Sequence, residues 1–330
     1  MIRVGTRESK LARFQTEFVI GLLKDRAPEF DFVAHTVKTQ GDKDRTKPLY
    51  EMGGAGVFVK ELEDALLAHE VDFVVHSLKD LPTKLPAGLV LAAVPDRSDV
   101  RDALISRDGL CLAELPAGAK VATSSRRRAA QIKQKRQDLT FVDIRGNVDT
   151  RLRKLEEGHC DAMILAAAGL TRLNLTRHIT EYLEVDTLMP AVGQGALAVE
   201  CRADDMRTRE LLRLIDNRVL RNEIECERAF LDELGGGCSV PIGALAVTTD
   251  SGMLRLRACV ASASGHKMMH DIEEAKLDCD VHGGDRVRNC NQPNESESCG
   301  RRLAKRMLDN GAREILGELL SIPVPKIAPP

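Results

Sequence analysis

The 330-residue sequence contains no tryptophan, and aromatic residues make up only 3% of it. A chain so poor in aromatic side chains offers no stacking platform for single-stranded nucleic acid. Charge of one sign is lacking too, since 48 basic and 50 acidic residues leave a net charge of −2, which argues against a general binder of polyanions. No apolar run reaches the length of a membrane span, and the N-terminal residues do not resemble a signal peptide. We therefore expect a globular protein with neither a nucleic-acid nor a membrane partner.

Motifs for metal, disulfide and nucleotide binding are also missing. The nine cysteines are an odd number without paired C-x2-C units, so neither a disulfide framework nor a metal centre is expected. The spacing of Cys279, His282, Cys290 and Cys299 does not match a zinc site. No glycine-rich nucleotide fingerprint is present. This cysteine usage indicates a reducing compartment, which we take to be the cytoplasm, or a plastid if a transit peptide has been removed.

Strand-like and helix-like segments alternate through the first 195 residues, which predicts an α/β architecture with parallel-rich sheets. In the first unit, "MIRVGT" predicts a strand and Ser9 a helix N-cap. The spacing of the apolar residues that follow predicts one buried helix face, formed by Leu11, Phe14, Phe18 and Leu22. A helix over 219–234 and the strand-like segments "VPIGALAV" and "MLRLRACVAS" predict a smaller α+β domain. The length favours two or three domains.

Arginines recur at positions where helices begin. In "TSSRRRAAQ" the serines resemble an N-cap, so Arg126, Arg127 and Arg128 fall in the first helical turn, where the helix dipole disfavours cations. "DIRGNVDTRLRKL" repeats the arrangement with Arg145 and Arg151. Similar strand-exit positions are occupied by Arg7 and Arg172. Such sites predict a small, multiply charged anion at helix N-termini, and arginine forks suit carboxylates as well as phosphates.

Two further segments carry chemistry. The strand exit in "VVHSLKDLPT" supplies Ser77, Lys79 and Asp80, and the acid there is either half of a surface ion pair or a carboxylate that stabilises a cation and passes protons. In "DELGGGCSVPIG", Cys238 follows three glycines. Most isolated cysteines fill cores, but bare backbone beside a thiol indicates that the chain comes close to another group.

Seven motifs in order resemble the porphobilinogen deaminase family over residues 1–275 and the final helices: "GTRES", "VVHSLKDLPT", "TSSRRRAAQ", "IRGNVDTRLRKL", "AAAGLTRL", "AVGQGALAVECR" and "GGGCSVPIG". The resemblance implies a transferase of tetrapyrrole (heme) biosynthesis, hydroxymethylbilane synthase. Such an enzyme joins four porphobilinogen molecules head to tail, with loss of ammonia, and releases 1-hydroxymethylbilane. It also implies a dipyrromethane cofactor bound to Cys238 through a thioether.

The resemblance assigns the remaining site residues. The catalytic residues it implies are Asp80 and Lys79. The residues it implies for holding the cofactor, besides Cys238, are Ser77, Lys79, Asp80, Thr123, Ser125, Arg127, Arg128, Arg145 and Gly146. Those it implies for the substrate are Arg7, Ser9, Arg145, Arg151, Arg172 and Gln194. The chain departs from the family at Ala55, where many members carry a basic residue, and at Arg126, where an aliphatic residue is common.

The implied fold has two lobes like those of periplasmic binding proteins and a C-terminal domain that carries the cofactor. We expect domain 1 at 1–95 and 196–215, domain 2 at 96–195, and domain 3 at 216–330 with a polar insert at about 278–299. The implied enzyme is a monomer that acts on a small molecule. An anion-binding solute-binding protein without catalysis is the alternative, and it needs neither Cys238 nor a third domain. A zinc deaminase is disfavoured because its H-x-E and P-C-x-x-C signature is missing.

Overall fold

The computed structural model describes residues 1–39, 59–236, 240–277 and 294–321. The first lobe is built on a five-stranded sheet of order β2-β1-β3-β10-β4. Strand β1 is parallel to β2 and β3, whereas β10 is antiparallel to β3 and β4. Its elements are β1 (Ile2–Thr6), α1 (Lys10–Arg26), β2 (Phe32–Thr36), α2 (Lys60–Leu67), β3 (Phe73–Ser77), β4 (Leu89–Ala93), β10 (Leu197–Arg202) and α6 (Met206–Arg213).

The second lobe repeats this plan with a sheet of order β7-β6-β8-β5-β9. Strand β6 is parallel to β7 and β8, while β5 is antiparallel to β8 and β9. Its elements are β5 (Asp102–Ser106), β6 (Lys120–Ala122), α3 (Arg126–Lys135), β7 (Thr140–Val142), α4 (Val148–Glu156), β8 (Ala162–Ala166), α5 (Ala167–Arg172) and β9 (Glu181–Leu183). The parallel strands of both lobes end where the predicted site residues lie, as in other open α/β sheets.

The C-terminal domain packs helices against an antiparallel sheet of order β11-β12-β13. Its apolar core contains Phe230 and Leu303, both fully buried. The elements are α7 (Arg218–Glu233), β11 (Ile242–Thr248), β12 (Met253–Ala261), β13 (Met268–Lys276), α8 (Glu295–Met307) and α9 (Arg313–Ser321). The predicted fold class, two α/β lobes with parallel-rich sheets and a smaller α+β domain, is confirmed.

The chain passes between the lobes twice, and the two crossing segments bond to each other. The amide of Ser98 donates to the carbonyl of Gly195 (3.1 Å), and that of Leu197 donates to Asp96 (2.9 Å). Residues after the second crossing return to the first sheet as β10. The domain limits at 95/96 and 195/196 remain a prediction.

Helix α1 begins where the sequence predicts, because the Ser9 hydroxyl accepts the Ala12 amide at 3.2 Å. The predicted buried face is wrong. Phe14 and Phe18 are each 38% exposed. The sheet instead covers Ala12, Gln15, Thr16, Val19 and Leu23. The physical reason is tertiary: the Gln15 amide reaches the Ser77 hydroxyl at 2.8 Å, which satisfies a polar group that the sequence pattern places on the outside.

The predicted insert is shorter than expected at its C-terminal end. Asn294 caps helix α8 by accepting the Glu297 amide at 2.8 Å, so residues 294–299 are cap and helix rather than loop. Cys299 is fully buried on α8 beside Cys226 of α7, which removes it from any loop zinc site. Residues 278–293 lie outside the described part, as does Ala55. Within the described ranges no His, Cys, Asp and Glu cluster could hold a metal ion, and no helix is long and apolar enough to cross a membrane.

Candidate active site

A tight turn after strand β3 presents the two predicted catalytic residues. Leu78, 1% exposed, anchors a single 3-10 turn over Leu78–Asp80, and its amide donates to the Ala196 carbonyl at 3.0 Å. Lys79 and Asp80 are half-buried on this turn, and Ser77 precedes them as the last residue of β3. The turn therefore lies at the carboxyl end of a central strand and is fixed by the second crossing segment.

Lys79 lies among charged groups of both lobes. Its ammonium Nζ is 3.4 Å from Gln194 Oε1. Burial and, to a smaller extent, the nearby Arg128 lower the pKa of Lys79 to about 8, although the Asp80 and Asp102 carboxylates act in the opposite direction. The amine thus lies within electrostatic reach of both the predicted catalytic carboxylate and the arginines of the second lobe.

The paired arginines of helix α3 are already bonded to an acid that the sequence analysis did not identify. Arg128 donates from Nε and Nη2 to Asp102 Oδ1 at 3.0 and 2.6 Å, and Arg127 Nη2 lies 2.8 Å from Oδ2. Both arginines also donate to backbone carbonyls, of Met189 and Ile164 respectively. All three charged side chains are buried. The structure therefore places Arg127 and Arg128 in an internal ion cluster at the site rather than in open solvent.

Asp102 connects this cluster to the catalytic turn. Burial raises the pKa of its carboxyl, but Arg127 and Arg128 outweigh that effect and lower it to about 2. The fully buried Gln194 donates from Nε2 to Asp102 Oδ1 (3.1 Å) and to the Val100 carbonyl (2.8 Å). Since Gln194 also contacts Lys79, one amide side chain links the turn of the first lobe to the arginine cluster of the second.

Arg151 differs from the α3 arginines because no carboxylate of the described residues pairs with it. Its Nε donates to the Gly146 carbonyl at 2.7 Å. Burial, Arg128 and Arg145 together lower the pKa of Arg151 to about 10, although Asp80 opposes the shift. Arg128, Arg145, Arg151 and Asp80 are thus electrostatic neighbours. Gly146 makes the close turn between β7 and α4 at φ 116°, where a Cβ would lie 2.8 Å from the Thr150 side chain.

Three of the four hydroxyl groups predicted for the site, those of Ser9, Ser125 and Thr123, accept hydrogen bonds from nearby backbone amides. Ser9 caps α1, Ser125 caps α3 by accepting the Arg128 amide at 3.4 Å, and Thr123 Oγ1 accepts the Ser125 amide at 3.2 Å. Ser77 accepts from Gln15 as described above. These bonds fix the loops that carry the charged residues. Arg7 is half-buried at the exit of β1.

Arg172 lies at the crossing segments. Its Nη2 donates to the Gly195 carbonyl at 2.8 Å and to Asp96 at 3.2 Å. Burial lowers its pKa, and Asp96 opposes the shift. The Arg172 guanidinium is therefore bonded to both crossing segments, and its predicted contact with substrate stays a prediction.

Cys238 lies outside the described residues, as does Gly237, whereas Gly235 and Gly236 before them are described. Gly235 ends helix α7 at φ 65° with open space around its Cα, as a left-handed C-terminal glycine does. A Cβ on Gly236 would lie 2.7 Å from Leu231 and 2.8 Å from Ile242. The bare backbone of Gly236 therefore comes close to these two apolar side chains. That the glycines of this loop also make room for a bound group stays a prediction.

The donor set fits a small molecule with several carboxylates. Lys79 and Arg151 lie within electrostatic reach of the α3 arginines, and burial together with mutual repulsion destabilises their charges. A multiply charged anion relieves such repulsion and gains charge-assisted hydrogen bonds. A dipyrromethane with acetate and propionate side chains has this character.

Comparisons with known proteins agree with this chemistry. The family model "Porphobilinogen deaminase, dipyromethane cofactor binding domain" matches residues 2–210, and "Porphobilinogen deaminase, C-terminal domain" matches residues 222–309. The porphobilinogen deaminase of Brevibacillus brevis is 46% identical over 96% of this chain and 97% of its own length. That of Syntrophotalea carbinolica is 42% identical over 99% of this chain and 98% of its own.

The solved structures that match part of this chain are more distant. The periplasmic VFT2 domain of Bordetella pertussis BvgS has a TM-score of 0.39 and 16% identity over 65% of this chain and 86% of that one. The YaeC-family lipoprotein of Enterococcus faecalis has a TM-score of 0.40 and 15% identity over 66% and 91%. By its two family matches and its full-length relatives, the chain belongs to the porphobilinogen deaminase family, whose members are hydroxymethylbilane synthases with a dipyrromethane cofactor.

Proposed function

We propose that the cleft around Asp80, Lys79 and Arg151 is where this chain performs the activity of its family. That activity is the head-to-tail condensation of four porphobilinogen molecules, with loss of ammonia, to 1-hydroxymethylbilane in tetrapyrrole biosynthesis. The observation that carries the assignment is the Asp80 carboxylate, which lies on a tight turn within the field of Lys79 and Arg151. The buried acid Asp102, by contrast, is paired with Arg127 and Arg128.

The residues that hold the cofactor are, in this proposal, Cys238 for the covalent link and the cations of the cleft for its carboxylates. The bound dipyrromethane supplies the pyrrole end to which new units are added. Arg145, Arg151 and Lys79 bind acetate and propionate groups, and each charge-assisted hydrogen bond contributes about 1.5–3 kcal/mol. Asp102 holds Arg127 and Arg128 in place, so their remaining N–H donors face a fixed direction.

Asp80 acts on the porphobilinogen substrate. When the aminomethyl carbon–nitrogen bond breaks, the electron pair leaves with nitrogen as ammonia, and positive charge spreads over the pyrrole and its methylene carbon. A fixed carboxylate stabilises that charge without reorganising. Each new carbon–carbon bond releases one proton, which the Asp80 carboxylate accepts and returns to solvent or to the departing amine.

Lys79 and Gln194 contribute to the same reaction by orienting the substrate. The Lys79 ammonium binds a substrate carboxylate on the side opposite to the arginines, and Gln194 holds Lys79 against Asp102. Because Gln194 belongs to the second crossing segment, lobe closure and the position of Lys79 change together. The substrate thus enters between lobes and is fixed from both.

We also propose that the enzyme acts in the cytoplasm as a monomer. The six cysteines in the described part of the chain are free thiols, which suits a reducing compartment. The relatives named above are bacterial proteins. The substrate is a small molecule, and the proposed site is formed by one chain.

The cofactor assignment is tested by the intact mass of the purified protein. The mass should exceed that of the sequence by two pyrrole units, and Cys238→Ser should abolish both the increment and turnover. Cys111→Ser is the matched control, because it removes a partly exposed thiol far from the glycine loop in sequence, and it should keep both. An increment that persists in Cys238→Ser would overturn the assignment.

A further inference from the structure

A second group of ionisable side chains is buried in the first lobe. His76 on β3 and Glu200 on β10 lie on the same face of the sheet, and their side-chain atoms Nε2 and Oε2 are 3.1 Å apart. Glu63 of helix α2 packs over this face and is 7% exposed. His76 is 5% exposed and Glu200 is fully buried. None of these residues belongs to the cleft described above.

The cluster contains buried oxygens that nothing in the described structure satisfies. Oε1 of Glu63 and Oε1 of Glu200 are both buried, and neither accepts a hydrogen bond. An unpartnered charged oxygen in a protein interior costs several kcal/mol, so two ionised carboxylates cannot both persist here at low cost. A protonated carboxyl removes one charge and supplies a donor.

Charges on four elements face this cluster. His76 on β3 shares a hydrogen bond with Glu200 on β10. Arg228 of helix α7 interacts electrostatically with Glu200. Burial, the Glu200 charge and the neighbouring Asp64 together raise the pKa of Glu63 on α2 to about 7, although His76 opposes the shift. Glu200 thus has two positive or donating neighbours, whereas Glu63 has an acidic environment.

The cluster adjoins the catalytic turn in sequence at one end and is connected to its other end through Arg228. His76 immediately precedes Ser77 and so fixes the strand from which the turn leaves. On the far side of Asp80, Arg228 Nη2 donates to the carbonyls of Pro82 (2.8 Å) and Thr83 (2.9 Å). A change in the charge of the cluster therefore acts on the backbone before and after Asp80.

We propose that Glu63, His76 and Glu200 are positioning residues for the Asp80 turn, and that they hold it correctly only while one of the two carboxylates carries a proton. Ionisation of Glu63 adds a second buried anion, which attracts His76 and repels Glu200, the carboxylate that interacts with both His76 and Arg228, and so loosens both supports of the turn. The inference rests on the proposed role of Asp80, but the state of the cluster can be measured without it.

Glu63→Gln is the variant that isolates the effect, since an amide has the shape of the protonated acid and cannot ionise. Glu61→Gln on the same helix is the matched control. We expect kcat of the wild type and of Glu61→Gln to fall as pH rises from about 6 to about 9, and Glu63→Gln to lose that part of the fall which begins near neutrality. Glu200→Gln should lower kcat at every pH with little change in KM.

The second readout is the urea midpoint of unfolding at the same pH values. The folded state binds more protons than the unfolded state between the ordinary carboxyl pKa of 4.5 and about 7, so stability falls with rising pH across this window. Glu63→Gln should abolish that fall and Glu61→Gln should keep it.

If the midpoint of Glu63→Gln no longer varies with pH across this window but its kcat profile is that of the wild type, the positioning role alone is refuted. Wild-type behaviour of Glu63→Gln in both measurements would overturn the whole inference. If Asp80 had no role in catalysis, the result for the urea midpoint would be unaffected.

Discussion

Arg128 and Asp102 form a buried pair in which two guanidinium N–H groups converge on a single carboxylate oxygen, at 3.0 and 2.6 Å. Arg128 lies in the first turn of α3, where a cation is disfavoured by the helix dipole. The neighbouring Arg127 has the same unfavourable position and the same partner. Asp102 therefore offsets the repulsion that would otherwise exclude two adjacent arginines from a helix N-terminus.

The first prediction concerns this acid. Asp102→Asn leaves two buried guanidinium groups without an anion, and losing one partner of a buried pair typically costs about 3–5 kcal/mol. We expect that loss in urea unfolding of a cofactor-free Cys238→Ser background. A smaller loss is expected in the loaded protein, because ligand carboxylates replace the missing charge. Asp99→Asn, which breaks the partly exposed pair with Arg101, should cost no more than about 1 kcal/mol. Equal losses in the two variants would contradict the role given to Asp102.

The second prediction separates Arg151 from Arg128. Arg151→Leu removes a cation that has no carboxylate partner among the described residues and that Arg128 and Arg145 repel, so the empty protein should be at least as stable as before. Arg128→Leu leaves Asp102 short of a partner and should destabilise it by about 3–5 kcal/mol. Urea unfolding measures both. Intact mass should show impaired cofactor assembly in Arg151→Leu, and a fully loaded, fully active Arg151→Leu would refute its role in anion binding.

Arg127 and Arg128 show how far the sequence could predict the site. The motif "TSSRRR" predicts that both residues lie at the start of a helix and that an anion binds nearby. The partner of Arg127 and Arg128 is not visible, because Asp102 stands alone at the start of "DALIS" in a strand that the sequence pattern did not indicate. The pairing arises only when β5 is placed beside β8 and α3 packs across them. Ion pairs distant in sequence depend on tertiary structure.

Helix α1 shows the same limit for the fold. Its period and its Ser9 cap follow from local rules and are confirmed. Its buried face does not follow from local rules. The helix has two apolar stripes, and the one that contains Gln15 and Thr16 packs against the sheet. A polar residue that finds a partner across the core, as Gln15 does at Ser77, cannot be distinguished from a surface residue by hydropathy. Local signals predicted element type, and tertiary hydrogen bonds decided orientation.

The third prediction is a pH dependence that arises from Lys79. Because burial lowers the pKa of this amine to about 8, it loses its charge above that pH, and KM for porphobilinogen should rise there. Lys79→Arg keeps the cation and should shift that rise to higher pH. For stability, the unfolded chain binds more protons than the folded one between pH 8 and 10.5, so stability should increase across that window. Lys79→Met should abolish this increase. An identical KM profile in Lys79→Arg would show that another group titrates.

The last prediction concerns Asp80 and distinguishes chemistry from binding. Asp80→Asn keeps the shape of the side chain but removes the negative charge and the proton acceptor, both of which matter more in the transition state than in the bound substrate. We expect kcat to fall by about 10²–10⁴-fold while KM changes little. Asp80→Glu restores the charge but places it one methylene group farther from a turn that the buried Leu78 anchors. It should therefore recover only a small part of the rate. Asn147→Ala, at the start of α4, is a suitable control, since its side chain forms no cap hydrogen bond and carries no charge. Steady-state product formation together with intact mass decides the matter. If Asp80→Asn turns over near the wild-type rate with a normal mass, then the carboxylate on this turn is not the proton acceptor.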